Sequence, residues 1–310
     1  LGICNAIEQT ARPGIEGASI ALDGSGHTTV RLGTASQGQG HETIWKQLVC
    51  GGLGLSPDSV DVLDGDSDGL AAGGGTFNSR SAVCGGMAVT RAVEKILDRG
   101  REIASGMLEA SVADIVFADG DFAIGGTDRS VSLADVAASC RGLTAAADYT
   151  AESPTFPYGT HICEVEIDCG TGRVEIASYT AIDDVGMELN PLLLAGQIHG
   201  GVAQGIGQGL MEAVIFDPGS GQNLTGSFLD YAMPRADDLC FFRTASHAVP
   251  TALNPLGVKG AGEAGTVGAL PAIMCAICDV LGTDDVTMPA TPETIWRVLA
   301  RTRSRKDKTI

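Results

Sequence analysis

A chain of 310 residues with 44% hydrophobic and 19% charged side chains is globular, and its length suits two domains of about 150 residues each. A formal charge of −18 argues against a nucleic-acid or anionic-membrane partner, because binding phosphate polymers takes Lys and Arg to displace counterions. The 43 glycines follow no strict G-X-Y period, which excludes collagen and leaves loops or close backbone packing to explain the excess.

Nine cysteines without regular spacing read as reduced thiols, which favours a cytoplasmic location. Cys275 and Cys278 form a C-x-x-C inside an apolar helical run and are expected to be buried packing residues. No run of 18 uninterrupted apolar residues and no basic-then-apolar leader argues for membrane insertion.

In chain order, residues 16–32 read as a β-hairpin in which Ala18, Ile20 and Leu22 alternate, Asp23-Gly-Ser-Gly26 turns, and Val30 and Leu32 return. The hairpin delivers the chain to Gln37-Gly-Gln-Gly-His41, whose amides can donate and accept toward a polar heterocycle, or form an exposed loop. A short helix over residues 44–53 and a strand over 59–63 follow, and the strand ends in Asp64-Gly-Asp-Ser-Asp-Gly69. That segment imitates the start of an EF-hand, but Gly75 stands where the bidentate Glu belongs, so a solvated turn is expected. Gly75-Thr-Phe-Asn-Ser-Arg-Ser81 then opens a long helix over residues 82–110, either as an anion site or as a plain cap.

Residues 111–151 are loop-rich, with a strand at 114–117 and a short helix at 133–140. Ser153-Pro-Thr-Phe-Pro157 is a kinked connection suited to a domain boundary, giving domains 1–152 and 153–310. The second begins with another hairpin, residues 163–179, in which Val165 and Ile167 face Val174 and Ile176, so an internal repeat is expected. Its helix carries Ile198, Val202, Ile206 and Leu210 together with six glycines, which implies close packing against a helix or a ligand within reach of Gln197, Gln204 and Gln208.

Asn254-Pro-Leu-Gly-Val-Lys-Gly-Ala-Gly-Glu-Ala-Gly265 sets one carboxylate, Glu263, among glycines, a setting in which an acid can be desolvated and used as a general base, or simply sit in a solvated turn. A helix is expected only later, with Pro271 as its first residue, which leaves the helix dipole remote from Glu263. Residues 260–265 also fit G-x-G-x-x-G. The expected strand and immediate helix are missing around them, which counts against a nicotinamide-dependent dehydrogenase.

Taken together, six ordered landmarks resemble the molybdenum-binding subunit of the xanthine dehydrogenase family of molybdenum hydroxylases, and in particular the large chains like that of aerobic carbon monoxide dehydrogenase. They are Gln37-Gly-Gln-Gly-His41, Gly75-Thr-Phe-Asn-Ser-Arg-Ser81, Gly196-Gln-Ile-His-Gly-Gly-Val-Ala-Gln-Gly205, Phe228-Leu-Asp-Tyr-Ala-Met-Pro234, Lys259-Gly-Ala-Gly-Glu-Ala-Gly265 and Ala290-Thr-Pro-Glu293.

The resemblance implies a mixed α+β fold of two related subdomains, each of β-hairpins and sheets with packed helices and each binding molybdopterin. It matches Glu263 to the family's catalytic glutamate, which takes a proton from the water-derived oxygen that attacks an electron-poor carbon. It matches Gln39, Gly40, His41, Ser79, Arg80, Ser81, Gln197, Gln204, Lys259 and Gly260 to cofactor contacts, with molybdenum held through the pterin dithiolene and by no direct protein ligand. It further implies molybdopterin cytosine dinucleotide as the cofactor, [2Fe–2S] and FAD partner subunits, and a preceding half of the molybdenum subunit that chooses among an N-heterocycle, an aldehyde or carbon monoxide. A natural split subunit and a truncated, non-catalytic fragment both fit this pattern, and the chain by itself is expected to be inactive.

Overall fold

The computed structural model describes residues 1–12, 14–70 and 72–306. Its strands and helices are β1 (Gly2–Ile7), β2 (Ile15–Leu22), β3 (Thr28–Leu32), α1 (His41–Leu53), β4 (Val60–Asp64), α2 (Gly86–Leu108), β5 (Ile115–Ala118), β6 (Asp121–Ile124), β7 (Ser130–Ser132), α3 (Leu133–Ser139) and β8 (Leu143–Thr150), followed by β9 (Tyr158–Ile167), β10 (Val174–Asp184), α4 (Pro191–Leu210), β11 (Phe242–Ser246), α5 (Ala264–Leu281) and α6 (Pro292–Lys306). The fold is mixed α+β, as expected.

Two compact units divide the chain, but their boundaries interleave. One holds Leu1–Glu8, Phe156–Val249 and Ala261–Ile310, and the other holds Gln9–Thr155 and Pro250–Gly260. A cut at residues 152 and 153 therefore misplaces two segments. The first eight residues leave the N-terminal unit because β1 pairs antiparallel with β9, Ile3 opposite Ile162 and Ile7 opposite Tyr158.

The expected repeat is present as topology. In the unit around Gln9–Thr155, the sheet order is β4-β3-β2-β8; the hairpin β2/β3 takes β4 parallel beside β3 and β8 antiparallel beside β2. In the other unit, the order β11-β10-β9-β1 repeats the plan, with β11 parallel to β10 and β1 antiparallel to β9. Helix α1 joins the parallel pair β3 and β4, and α4 joins β10 and β11; α2 follows β4 as α5 follows β11. The hairpin β9/β10 has the register read from alternation, Ile167 opposite Val174 and Val165 opposite Ile176.

In the first unit, α1 packs on α2 and β4 and α2 packs on β2 and β8, and Trp45, Val49, Leu53, Val89 and Ile96 of the helices are buried, as are Ile20, Val30 and Leu32 of the sheet. The small antiparallel sheet β5-β6-β7 packs on α2, where Gly100 lies against the Phe122 ring. In the second unit, α4 and α5 bury Val202, Ile206, Ile273 and Ile277 against Tyr179 and Phe242. Helix α5 has the length and apolarity of a membrane span, yet it is the core helix of this unit. Cys275 on α5 is exposed, contrary to the expectation of burial, because it falls outside the buried stripe that carries Ala269, Ala272, Ile273, Ala276 and Ile277.

Helix α5 begins at Ala264, seven residues before the expected start, and Pro271 lies inside it. An interior proline removes one backbone hydrogen bond, to the carbonyl four residues earlier, which here belongs to exposed Val267, where water can satisfy it.

Candidate functional site

Both cofactor-type loops of the first unit leave the carboxyl ends of adjacent parallel strands, the end at which α/β sheets hold ligands. The loop after β3 carries Gln37, Gln39 and Gly40 into α1, and the loop after β4 carries the segment from Gly75 to Ser81 into α2. Gly38 and Gly75 have φ of +107° and +85°, and a Cβ at either would meet nothing within 4 Å, so their backbones are open to close approach. Gly40 is the left-handed N-cap of α1, leaving the first N–H groups of that helix without a side-chain cap.

Two further side chains, Thr76 and Asp64, brace these loops. The Thr76 hydroxyl donates to the Ala35 carbonyl at 2.8 Å and lies 3.1 Å from the Ala35 N–H, tying the two loops together. Asp64 was expected to be solvated; its Oδ2 instead accepts from the Ser36 N–H at 3.0 Å, one residue before Gln37. Gln37 and Gln39 bond to each other, the Gln39 Nε2 donating to the Gln37 Oε1 at 2.6 Å. Lys259 and Gly260 join the same unit: a Cβ on Gly260 would overlap the Ser79 carbonyl, and the Gly260 N–H donates to the Thr10 hydroxyl at 3.2 Å.

Arg80 and His41 differ from expectation. The Arg80 guanidinium is 1% exposed, paired with a fully buried Glu16, and it also donates to the carbonyls of Gly75, Gly14 and Ile15 at 2.9, 3.1 and 3.2 Å. Its terminal donors are spent inside the unit, so it shapes the Gly75 loop and is not placed to hold an external anion. Asn78 and Ser79, just before it, are held at φ of 50° and 48°, strained for residues with a side chain. Ser81 is buried in a five-residue π-turn, Ser81–Gly85, that precedes α2, with its hydroxyl 3.3 Å from that of Thr76. The His41 ring is buried against Trp45; burial pushes its pKa down, only partly countered by Asp64, and the ring is neutral at pH 7.

The second unit brings Gln204 and Glu263 together. Helices α4 and α5 run side by side on small residues: a Cβ on Gly201 would come within 3.0 Å of the Gly265 Cα, and one on Gly205 within 2.6 Å of the Ala269 Cβ. The glycine excess of α4 is thus explained at these positions by a neighbouring helix, whereas Gly196 and Gly200 face open space. Glu263 is the N-cap residue of α5, so the dipole end judged remote in the sequence lies directly beside it. Its side chain is exposed, not desolvated by this chain. The Glu263 carbonyl accepts from the N–H groups of Thr266 and Val267 at 3.0 and 3.1 Å. The Thr266 hydroxyl lies 3.0 Å from the Gly201 carbonyl and 3.3 Å from the Gln204 Oε1. Gln197 lies two turns before Gln204 on α4 and is half-buried.

The donor set of these loops consists of side-chain amides, hydroxyls and open glycine N–H groups, with Lys259 the one cation among the named contacts that is not fully buried. Such groups fit a polar heterocycle with a phosphate. Among the described residues, no group of three His, Cys, Asp or Glu side chains could hold a metal ion directly. Neither a strand nor a tight strand–helix turn immediately precedes residues 260–265, which removes the dinucleotide fingerprint reading.

Fold and loops define a cofactor-binding α+β protein, and comparison with known proteins gives its family. Residues 1–240 match the model of the molybdopterin cofactor-binding domain, and the chain belongs to that family, within the molybdenum hydroxylases related to xanthine dehydrogenase. It is 38% identical to the nicotine 6-hydroxylase large subunit of Paenarthrobacter nicotinovorans over 90% of this chain and 36% of that protein. It is 31% identical to the carbon monoxide dehydrogenase large chain of Hydrogenophaga pseudoflava over 92% of this chain and 37% of that one. The solved Cu,Mo carbon monoxide dehydrogenase superposes with a TM-score of 0.90 at 29% identity, covering 97% of this chain and 41% of that one. Quinoline 2-oxidoreductase from Pseudomonas putida 86 gives 0.88 at 31% identity, covering 96% and 41%. The chain therefore spans well under half the length of these relatives.

Proposed function

We propose that this chain is the molybdopterin-binding part of a molybdenum hydroxylase that oxidises a small N-heterocycle, aldehyde or carbon monoxide with water-derived oxygen, and that Glu263 is its general base. The observation that carries the proposal is the Glu263 turn itself. Glu263 places an exposed carboxylate at the start of α5, and its main-chain carbonyl accepts from Thr266, whose hydroxyl lies against the Gln204 amide on the neighbouring helix.

When bound, the cofactor would supply the two-electron redox chemistry of the hydroxylation. Gln204 and Gln197 present amides for orienting it; Gln39, Gly40 and the backbone N–H groups at the start of α1 suit its polar ring and phosphate, as do Ser79, Lys259 and Gly260. Glu263 takes up the proton released as oxygen is transferred. A base in that role works best when screened from water, and the exposed Glu263 leaves that screen to further polypeptide.

The rest of the molybdenum subunit, as a separate chain or as more of this one, is the partner we assign to that task. Ile3, Ile7, Tyr158, Ile162 and Ile182 support this assignment: they share the face of the β1-β9-β10 sheet turned away from α4 and α5 and are 36–66% exposed. The cytosine dinucleotide form of the cofactor and the [2Fe–2S] and FAD subunits that carry electrons away are parts of the same proposal. Molybdenum and extractable pterin are to be measured in the chain purified with its partners. Near-stoichiometric amounts of both are expected, and their absence from an intact complex refutes the assignment.

A further inference from the structure

The second unit repeats the sheet plan of the first, so it too has a crevice at the carboxyl ends of adjacent parallel strands, here β10 and β11, where such sheets hold ligands. A cavity of about 230 Å³ lies there, lined by Asp183, Glu188, Thr244 and Ser246 together with Ala195 and Ile198 of α4. None of the residues matched to the cofactor lines it.

The Asp183 side chain is 7% exposed and shares the face of β10 with Tyr179 and Ala181, which pack under α4 and α5. One of its oxygens, Oδ1, lies 3.2 Å from the Nε2 of buried His161, whose Nδ1 lies 2.7 Å from the Tyr179 hydroxyl. Burial pushes the Tyr179 pKa up, so that hydroxyl keeps its proton and can donate to Nδ1 while the Nε2–H donates to Asp183. A Cβ on Gly159 would overlap Oδ1, so the carboxylate is clamped from the β9 side as well. The other oxygen, Oδ2, is buried and has no hydrogen-bond partner among the described residues. The neighbouring Asp184, also buried, is satisfied within the chain by the N–H groups of Gly186 and Val249 at 2.8 and 3.0 Å. A buried carboxylate oxygen without a donor is strongly unfavourable, and such an atom marks a donor supplied from outside the chain.

The lining sets the chemistry of that donor. Two carboxylates and two hydroxyls line the cavity and no Lys or Arg does, so a phosphate or carboxylate would be repelled. The start of α4 does not reverse this, because Pro191 has no N–H and the Asn190 Oδ1 accepts from the Leu193 N–H at 3.1 Å. The equivalent end of the first unit is opposite in kind, with the uncapped N–H groups at the start of α1 suited to an anion. We propose that the crevice at the ends of β10 and β11 is a binding site for a small organic ammonium ion, whose N–H group donates to the Asp183 Oδ2. Glu188 supplies a second negative charge, and Ala195 and Ile198 cover the hydrocarbon part. The ammonium group belongs either to a free primary amine or to a lysine side chain of further polypeptide.

The probe is cyclopentylammonium, titrated into the folded chain and followed by calorimetry, with cyclopentanol as the uncharged shape and tetramethylammonium as a cation without an N–H. Ionic strength is held fixed, because a chain of net charge −18 attracts any cation. Saturable binding of cyclopentylammonium at millimolar concentration is expected, with both controls at least about tenfold weaker. Asp183→Asn should weaken the amine by about ten- to hundredfold, and Glu188→Gln by only a few-fold. Where circular dichroism shows Asp183→Asn to be unfolded, Ala195→Leu decides in its place: it adds bulk to the cavity wall, and loss of amine binding is required.

Equal binding of the three probes overturns the inference, as does unchanged affinity in a folded Asp183→Asn. So does the absence of saturable amine binding by the unsubstituted chain, the result expected when water alone satisfies Oδ2. In the chain purified with its partners, retained binding identifies a free amine as the ligand. Blocked binding with one partner lysine protected from acetylation identifies that side chain, and blocked binding without such a lysine overturns the inference. Pterin content is measured separately, so amine binding without pterin, or pterin without amine binding, tells the failure of one reading from the failure of the other.

Discussion

Two glycines one turn or so apart on α4 are expected to respond to the same substitution with opposite signs. A Cβ on Gly200 meets nothing within 4 Å, so Gly200→Ala gains only the helix preference of alanine and stabilises the fold by up to about 1 kcal/mol. A Cβ on Gly205 lands 2.6 Å from the Ala269 Cβ and 3.2 Å from the Leu270 backbone nitrogen, and neither neighbour is a flexible side-chain end. The same helix preference is then opposed by overpacking, for which about 1–3 kcal/mol is usual, and Gly205→Ala is expected to destabilise by up to about 2 kcal/mol net. Because the helix preference is common to both variants, they should differ by the overpacking alone, about 1–3 kcal/mol. Urea unfolding followed by circular dichroism measures both, read as midpoint shifts at constant slope. If both substitutions stabilise, α4 does not press on α5 at Gly205, and the support for the Glu263 turn has been misread.

Arg80→Met should cost about 3–5 kcal/mol in the same assay because it leaves the buried Glu16 carboxylate without its partner, whereas Arg80→Met with Glu16→Met should recover most of that loss. A double variant as unstable as the single one refutes the structural role given to Arg80. His41 makes the fold sensitive to acid. Its folded pKa lies below the ordinary value of 6.5, so the unfolded chain binds the proton more tightly, and the stability that His41 contributes is complete above about pH 6.5 and is lost as pH falls toward the folded pKa. His41→Gln should flatten that part of the stability–pH curve, and an unchanged slope between pH 7 and 5 contradicts the burial assigned to the ring.

What the sequence made legible was local. The β2/β3 hairpin could be read because its turn, Asp23-Gly-Ser-Gly26, and its alternating apolar residues are contiguous, and the β9/β10 register followed from the same alternation. The interleaving of the units was not legible, since β1 finds its partner β9 about 150 residues away and short edge strands carry no label for their neighbours. Arg80 looked like an anion site because it opens a helix after glycines; its capture by Glu16, 64 residues earlier, is a tertiary event. Pro271 misled for a physical reason, being equally compatible with a helix start and with an interior position whose lost hydrogen bond falls on the solvent side. Glu263 itself was found, but its place at a helix start and its link to Gln204 depended on packing between α4 and α5. A hydroxyl three residues after that glutamate was the available signal for Thr266, and a hydroxyl in the Gly75 loop was the signal for Thr76.

The central claim, that Glu263 is the base of a molybdenum hydroxylase site, is tested most directly by Glu263→Gln in the chain assembled with its partners. Glutamine keeps the size and polarity of the side chain at the start of α5 but cannot take up a proton. Pterin and molybdenum content should remain as in the unsubstituted complex while turnover falls by about 10²–10⁴-fold, the usual worth of a general base. Turnover within a few-fold of the unsubstituted complex, at full cofactor loading, contradicts the account.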